Sequence, residues 1–215
     1  AQELLYVIYD AWRSGRIPKQ TEIFLDSPMA IEATRIFTRH PEFFDDHALE
    51  MARTGGNPFS FENLHYTRHS SDSIRINEHR AGAVIIAGSG MVTGGRILHH
   101  LAYYGQHSRN TVVLSGFQAG GTRGASLAAG ATSLKMFGEY VPIRSEVAQI
   151  EGLSAHADQA DLLHWLGALG QEPEQVFVTH GEPQAADALR LQIKEKCGWK
   201  ARVPDYRETF KLQET

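Results

Sequence analysis

The chain has 215 residues, 42% of them apolar and 21% charged, enough to bury one large domain or one domain plus a share of a second. This composition excludes a disordered, collagenous or coiled-coil chain. The formal net charge of −4 argues against a free-standing nucleic-acid binder, although a local groove can be basic within an acidic protein.

In chain order, residues 2–14 are predicted as a helix, with Leu4, Leu5, Ile8 and Trp12 on one face. The start carries neither an initiator Met nor a basic leader, so the chain is expected to be cut, inside a helix, from something longer. Glu22–Asp26 reads as a short buried strand, and Ser27-Pro28 opens a helix through Thr38. A second helical stretch is expected from Pro41 to about Thr54, a weak strand over 64–67 and a helix over 70–78. Ala83–Ala87 is the clearest buried strand, followed by a Gly-rich turn and a helix over 96–104. Thr111–Leu114 is another apolar strand. Short apolar runs between helices predict an α/β fold with a mainly parallel sheet flanked by helices. Beyond the glycines of 116–130 the pattern changes. Residues 141–150 alternate, as in a strand pair, then a helix over 158–169, a strand over 176–179 and a helix from Pro183 to about Lys196 follow. A domain boundary is placed near 130.

The single cysteine, Cys197, rules out an intrachain disulfide and a cysteine zinc cluster. It reads as a structural thiol and fits a reducing, cytoplasmic compartment. No run of 18 apolar residues occurs, so neither a membrane span nor a membrane partner is expected.

Two segments share a layout. Ile150 to Asp158 and Val176 to Pro183 each run from a strand, through a histidine, to a helix start. Functional groups in α/β sheets gather at the carboxyl ends of strands, which singles out His156 and His180. The plain alternative is two ordinary loop histidines among the 11 present; the repeated context raises the functional reading level with it. A catalytic zinc takes about three protein ligands and an open position, and no H-x-H or H-E-x-x-H spacing occurs. His99 and His100 are adjacent on a helix, so their rings diverge by about 100° and read as packing or surface residues. Asp158 and Glu182 read as helix caps. Gly88-Ser89-Gly90 lies between a strand and a helix, where backbone N–H groups approach a phosphate closely, and Thr122-Arg123 add a hydroxyl and a guanidinium. The alternative for each glycine loop is a tight turn without a ligand. The aromatic residues Tyr103, Tyr104, Phe59 and Phe61 read as packing or surface residues rather than base-stacking platforms.

Four segments, in order, resemble the β-CASP family of metallo-β-lactamase-fold nucleases: Gly88-Ser89-Gly90-Met91 with Gly94-Gly95-Arg96; Gly116 to Gly124; Ser154 to Asp158; and Thr179-His180-Gly181-Glu182. The resemblance spans nearly the whole chain. It implies a zinc-dependent ribonuclease of RNA processing or decay, with residues 1–130 most of the β-CASP domain and 131–215 a C-terminal αβ segment of the metallo-β-lactamase fold. It implies His180 as a ligand of one of two zinc ions and His156 as the proton donor to the leaving oxygen, with metal-activated water as the nucleophile. It implies RNA held by Gly88, Ser89, Gly90, Thr122 and Arg123, with DNA left open and a homodimer plausible. The family's H-x-H-x-D-H segment, a further His and its acidic partners do not occur in this sequence, so the fragment alone is expected to be inactive. Two other readings stand beside this one: a non-catalytic RNA-binding or scaffold module, and a small-molecule ester or thioester hydrolase, against which residues 1–130 weigh.

Overall fold

In the computed structural model the described residues are 1–79, 82–154 and 156–212. They form two compact units, Ala1–Ser154 and Ala155–Thr215. The boundary expected near 130 falls inside the first unit, and Ala155, from the first histidine motif, lies outside the described residues.

The first unit begins with α1 (Gln2–Arg13), which buries Leu5 and Tyr9. Strand β1 (Glu22–Asp26) follows, then α2 (Pro28–Phe37), whose Ser27 cap accepts a hydrogen bond from the Ala30 N–H with Pro28 at the first helical position. Ser27 thereby satisfies one of the amides that a helix start leaves open, and Pro28 gives up a donor that has no partner there. The continuous helix expected over 41–54 is instead a 3-10 turn, Pro41–Phe43, and α3, Asp46–Arg53. The break occurs because Asp45 adopts an extended backbone and its carboxylate accepts from the Ala48 N–H at 2.7 Å, starting a new helix rather than continuing the old one.

β2 (Leu64–Tyr66), α4 (Ser70–Ile76) and β3 (Ala83–Ala87) complete a parallel sheet of order β2-β1-β3. Here the sequence expectation is corrected. Ala83–Ala87, the most apolar run, is an edge strand and only half buried, while the more polar β1 is central, with Ile23, Leu25 and Asp26 fully buried. A central strand is covered on both faces and paired on both edges, so position outweighs composition. Leu5, Ile23, Leu25, Ile31, Phe59 and Leu64 pack around it, each side chain stabilising by about 2 kcal/mol.

α5 (Arg96–Tyr104), β4 (Thr111–Leu114), α6 (Arg123–Ala128), β5 (Ser133–Met136), β6 (Glu139–Pro142) and β7 (Glu146–Gln149) build the rest of the unit. The alternating stretch 141–150 is two strands with different partners. β6 pairs antiparallel with β5 across Phe137-Gly138, and β7 pairs parallel with β4. Their core joins Val92, Leu98, Leu101, Leu114, Leu127, Leu134, Met136 and Ile143.

The second unit holds α7 (Gln159–Gly167), β8 (Val176–Phe177), α8 (Pro183–Cys197) and β9 (Ala201–Arg202), with β8 and β9 parallel. Its core is small: Leu166, Val178, Ala186 and Ile193 are buried, with Leu163, Leu189 and Trp199 against them. Phe210 packs on Phe177 while Leu212 is exposed. No helix among the described residues is long and apolar enough to cross a membrane.

Candidate functional site

The carboxyl ends of β1 and β2 are tied to α4 and α5 by one buried acid. Asp26 Oδ1 accepts from Arg96 Nη1 at 2.6 Å, and Oδ2 accepts from Ser73 Oγ and His100 Nε2, each at 2.6 Å. Arg96 also donates to the carbonyls of Thr67 (2.8 Å) and Arg68 (2.7 Å) just beyond β2. Burial, the largest single influence on Asp26, pushes its carboxyl up. The hydrogen bonds from His100, Ser73 and Arg96, with the charge of His100, outweigh it together and hold the group below the usual carboxylate range. His100 is thus a buried ion partner, a role the sequence reading missed; a polar residue ending an apolar strand was the available signal. His100 Nδ1 is buried with no hydrogen-bond partner among the described residues. His99 is exposed and lies against the Phe137 ring. Tyr104 donates its hydroxyl to Ile76 O, and Phe59 is buried in the core.

Arg96 opens α5, so the same network anchors the loop that precedes it. Gly95 adopts φ +76°, and a Cβ there would meet Gly88 O at 2.8 Å, which restricts the position to glycine. Ser89 Oγ hydrogen-bonds Thr93 Oγ1 at 3.0 Å, and the Gly88–Ser89 peptide is cis. Among the described residues nothing accepts from the N–H of Ser89 or Gly90. Both amides sit at a strand end beside α2 and α5, in the chemical setting of an anion cradle.

The second glycine segment docks onto the first. Gln118 Nε2 donates to Gly90 O and Gly116 O at 3.0 Å, and Gly124 N–H donates to Met91 O at 3.0 Å. A Cβ at Gly124 would lie 1.6 Å from Gln118 Oε1, so the loops interlock only through a glycine. Thr122 and Arg123, expected to face a phosphate, have structural partners. Thr122 Oγ1 donates to Ala119 O (2.7 Å) and caps α6 by accepting from Ala125 N–H (3.1 Å). Arg123 donates to the carbonyls of Lys135 (2.6 Å), Thr93 (3.2 Å) and Val92 (3.4 Å). Arg123 thereby fastens the loop that carries Gly88, Ser89 and Gly90, while Thr122 secures the start of α6.

In the second unit, His156 and His180 are both exposed. Asp158 caps α7 in a reciprocal box with Asp161: Asp158 Oδ1 accepts from Asp161 N–H at 2.9 Å, and Asp161 Oδ2 from Asp158 N–H at 3.2 Å. Glu182 corrects the parallel expectation. It occupies the cap position of α8, yet its side chain makes no capping hydrogen bond. The backbone of His180 is left-handed at φ +64°, uncommon outside glycine and least so for Asn, Asp and His. A Cβ on the next residue, Gly181, would stand 3.2 Å from Ala186 Cβ in the first turn of α8. The small residue beside His180 therefore lets the helix start come close.

No group of three His, Cys, Asp or Glu side chains able to hold a metal occurs among the described residues. A catalytic zinc needs about three protein ligands, so the described residues do not by themselves make a zinc site.

A family model described as Beta-Casp domain matches residues 1–127, and one described as Zn-dependent metallo-hydrolase RNA specificity domain matches residues 140–204. The chain is similar to Ribonuclease TTHA0252 of Thermus thermophilus, 38% identical over 189 residues, covering 88% of this chain and 42% of the relative. It is similar to Transcription termination factor FttA of Pyrococcus abyssi, 33% identical over 219 residues, covering 99% of this chain and 33% of the relative. An RNase J-like protein of Methanocaldococcus jannaschii is 31% identical over 207 residues, covering 96% and 45%. The chain spans less than half the length of these relatives.

Proposed function

The chain belongs to the Beta-Casp family, and from that premise we propose that it is the RNA-holding part of a zinc-dependent phosphodiester hydrolase of RNA processing or decay. One observation carries this reading: the two strand-end histidine motifs fall within residues 140–204, which match a model named for metallo-hydrolase RNA specificity. Residues 1–130 form most of the β-CASP domain in this proposal, and 131–215 the C-terminal part of a metallo-β-lactamase-like domain.

Gly88, Ser89 and Gly90 present backbone donors to an RNA phosphate. Thr122 and Arg123 shape that cradle, and their contact with RNA is part of the proposal. His156 donates a proton to the leaving oxygen, a role suited to imidazole because its ordinary pKa lies near neutrality. His180 contributes one ligand to a pair of zinc ions whose remaining ligands belong to a longer protein of the relatives' kind. RNA is the proposed substrate, DNA a possible second one, and a homodimer the proposed assembly. The single cysteine supports a reducing, cytoplasmic setting.

His180→Ala in the complete protein is expected to abolish RNA cleavage and lower bound zinc, read by gel assay and metal analysis; unchanged cleavage would sink the assignment. The net charge of −4 and the incomplete ligand set favour a second reading, a non-catalytic RNA-binding module. A complete protein that binds RNA but neither holds zinc nor cuts establishes that reading instead.

A further inference from the structure

The first unit carries a basic cup away from the glycine loops. Gln106, His107, Ser108, Arg109 and Arg144 line a hollow of about 340 Å³. Its frame is ordered by backbone bonds. His107 N–H donates to Tyr104 O (3.2 Å), Asn110 N–H to His107 O (3.1 Å), and Arg144 N–H to Gly105 O (2.8 Å). These bonds hold the loop between α5 and β4 against the segment that leads into β7. The lining contains two guanidiniums, an imidazole, a hydroxyl and an amide, and no carboxylate. Among the described residues neither Arg109 nor Arg144 has an ion-pair partner. The acid nearest in sequence, Glu146, accepts instead from Thr111 Oγ1 at 3.1 Å.

Two like charges gathered at one hollow of an acidic chain repel each other, and an anion between them removes that cost. The carbonyl end of α5 lies close by and would oppose an anion. Three of its last four carbonyls are occupied, however: Leu101 O by Gly105 N–H, Ala102 O by Gln106 Nε2 (2.6 Å), and Tyr104 O by His107 N–H and Asn110 Nδ2 (2.9 Å). Exposed, forked guanidiniums suit a phosphate oxygen pair.

We propose that this cup, through Arg109 and Arg144, is a second phosphodiester-binding site that grips a flank of the RNA held at the glycine loops. The inference rests on the proposed RNA-holding role. Both α5 and β4 run between the two sites: α5 starts after Gly95 and ends before Gln106, and β4 starts after Arg109 and ends before Gly116. Nine helical residues span about 14 Å, more than one phosphate spacing, so an RNA needs several linked phosphates to touch both sites. Short RNA therefore reaches one site and longer RNA both.

The test compares the 215-residue chain with R109A/R144A and R109K/R144K, by fluorescence anisotropy with labelled single-stranded RNA of three and of twelve nucleotides across a salt series. The Ala pair is expected to weaken twelve-nucleotide binding about tenfold and to flatten the salt slope by about 1.4, two contacts at about 0.7 each. Three-nucleotide binding stays unchanged, and the Lys pair keeps most of the slope because both charges remain. Unchanged affinity and slope for the longer RNA in the Ala pair overturn the proposal, as does equal loss for both lengths. If the unsubstituted chain binds no RNA at all, the RNA-holding reading itself has failed. The cup is then judged by NMR of the His107 ring during titration with inorganic phosphate: a shift lost in R109A/R144A identifies a small-phosphate site in place of an RNA flank, and no shift removes the site altogether.

Discussion

The buried network at the ends of β1 and β2 and the histidine motifs of the second unit use similar residue types in opposite ways. Asp26, Ser73, Arg96 and His100 spend their polarity inside, on each other and on backbone carbonyls. His156 and His180 stand exposed at helix starts, over a core of four buried side chains. A buried charge cluster holds geometry, because each partner removed strands another in a medium that solvates charge poorly. A group that must meet substrate or metal has to remain accessible. The comparison therefore divides the molecule into a part that positions and a part that presents.

The largest expected effect that would break this comparison is at Asp26. Asp26→Ala leaves Arg96 and His100 without their acid and is expected to destabilise by about 3–5 kcal/mol, read by urea denaturation. Hydrogen exchange should show the added opening in residues 1–154; equal exposure in 156–212 would contradict the division. The same network sets an acid limit. The Asp26 carboxyl is held below its ordinary value when folded, so its contribution is fully present above the unfolded value of about 4 and is lost as pH falls through the lower folded value. Asp26→Asn is expected to flatten that acid limb in a pH-stability profile, and an unchanged limb would assign it to other carboxylates.

A smaller effect sharpens the positioning half. Gly124→Ala forces Gln118 away from its contacts with Gly90 and Gly116, at a cost of about 1–3 kcal/mol, visible as a lower thermal midpoint. It should loosen the first glycine loop as well, seen as faster amide exchange at Ser89 and Gly90. Exchange unchanged there would mean the loops do not support each other. The smallest effect concerns presentation. Asp158→Ala removes the α7 cap and is expected to cost about 1 kcal/mol, with exchange rising at the start of α7. A loss well below that would mean the start of α7 is held by the helix dipole alone.

What could be read along the chain was local. Ser27-Pro28 at a helix start, the strand runs at 22–26, 83–87 and 111–114, and Asp158 at a helix start each follow from interactions within a few residues. Rules of capping and periodicity act over that range. The two histidine motifs were visible for the same reason, being strand, turn and helix start in one short segment.

Tertiary structure decided the rest. His100 reads as packing until the fold brings it to Asp26, 74 residues away. Arg123 reads as a phosphate ligand along the chain, and only the fold shows that Lys135, Val92 and Thr93 also present their carbonyls to it. The most apolar strand became an edge because β1, not β3, lies between two neighbours. Local propensity establishes which segments become strands and helices. The choice of neighbours, and with it which polar groups are buried together, depends on contacts between residues far apart in the chain, where each pairing is settled by the packing of the whole unit.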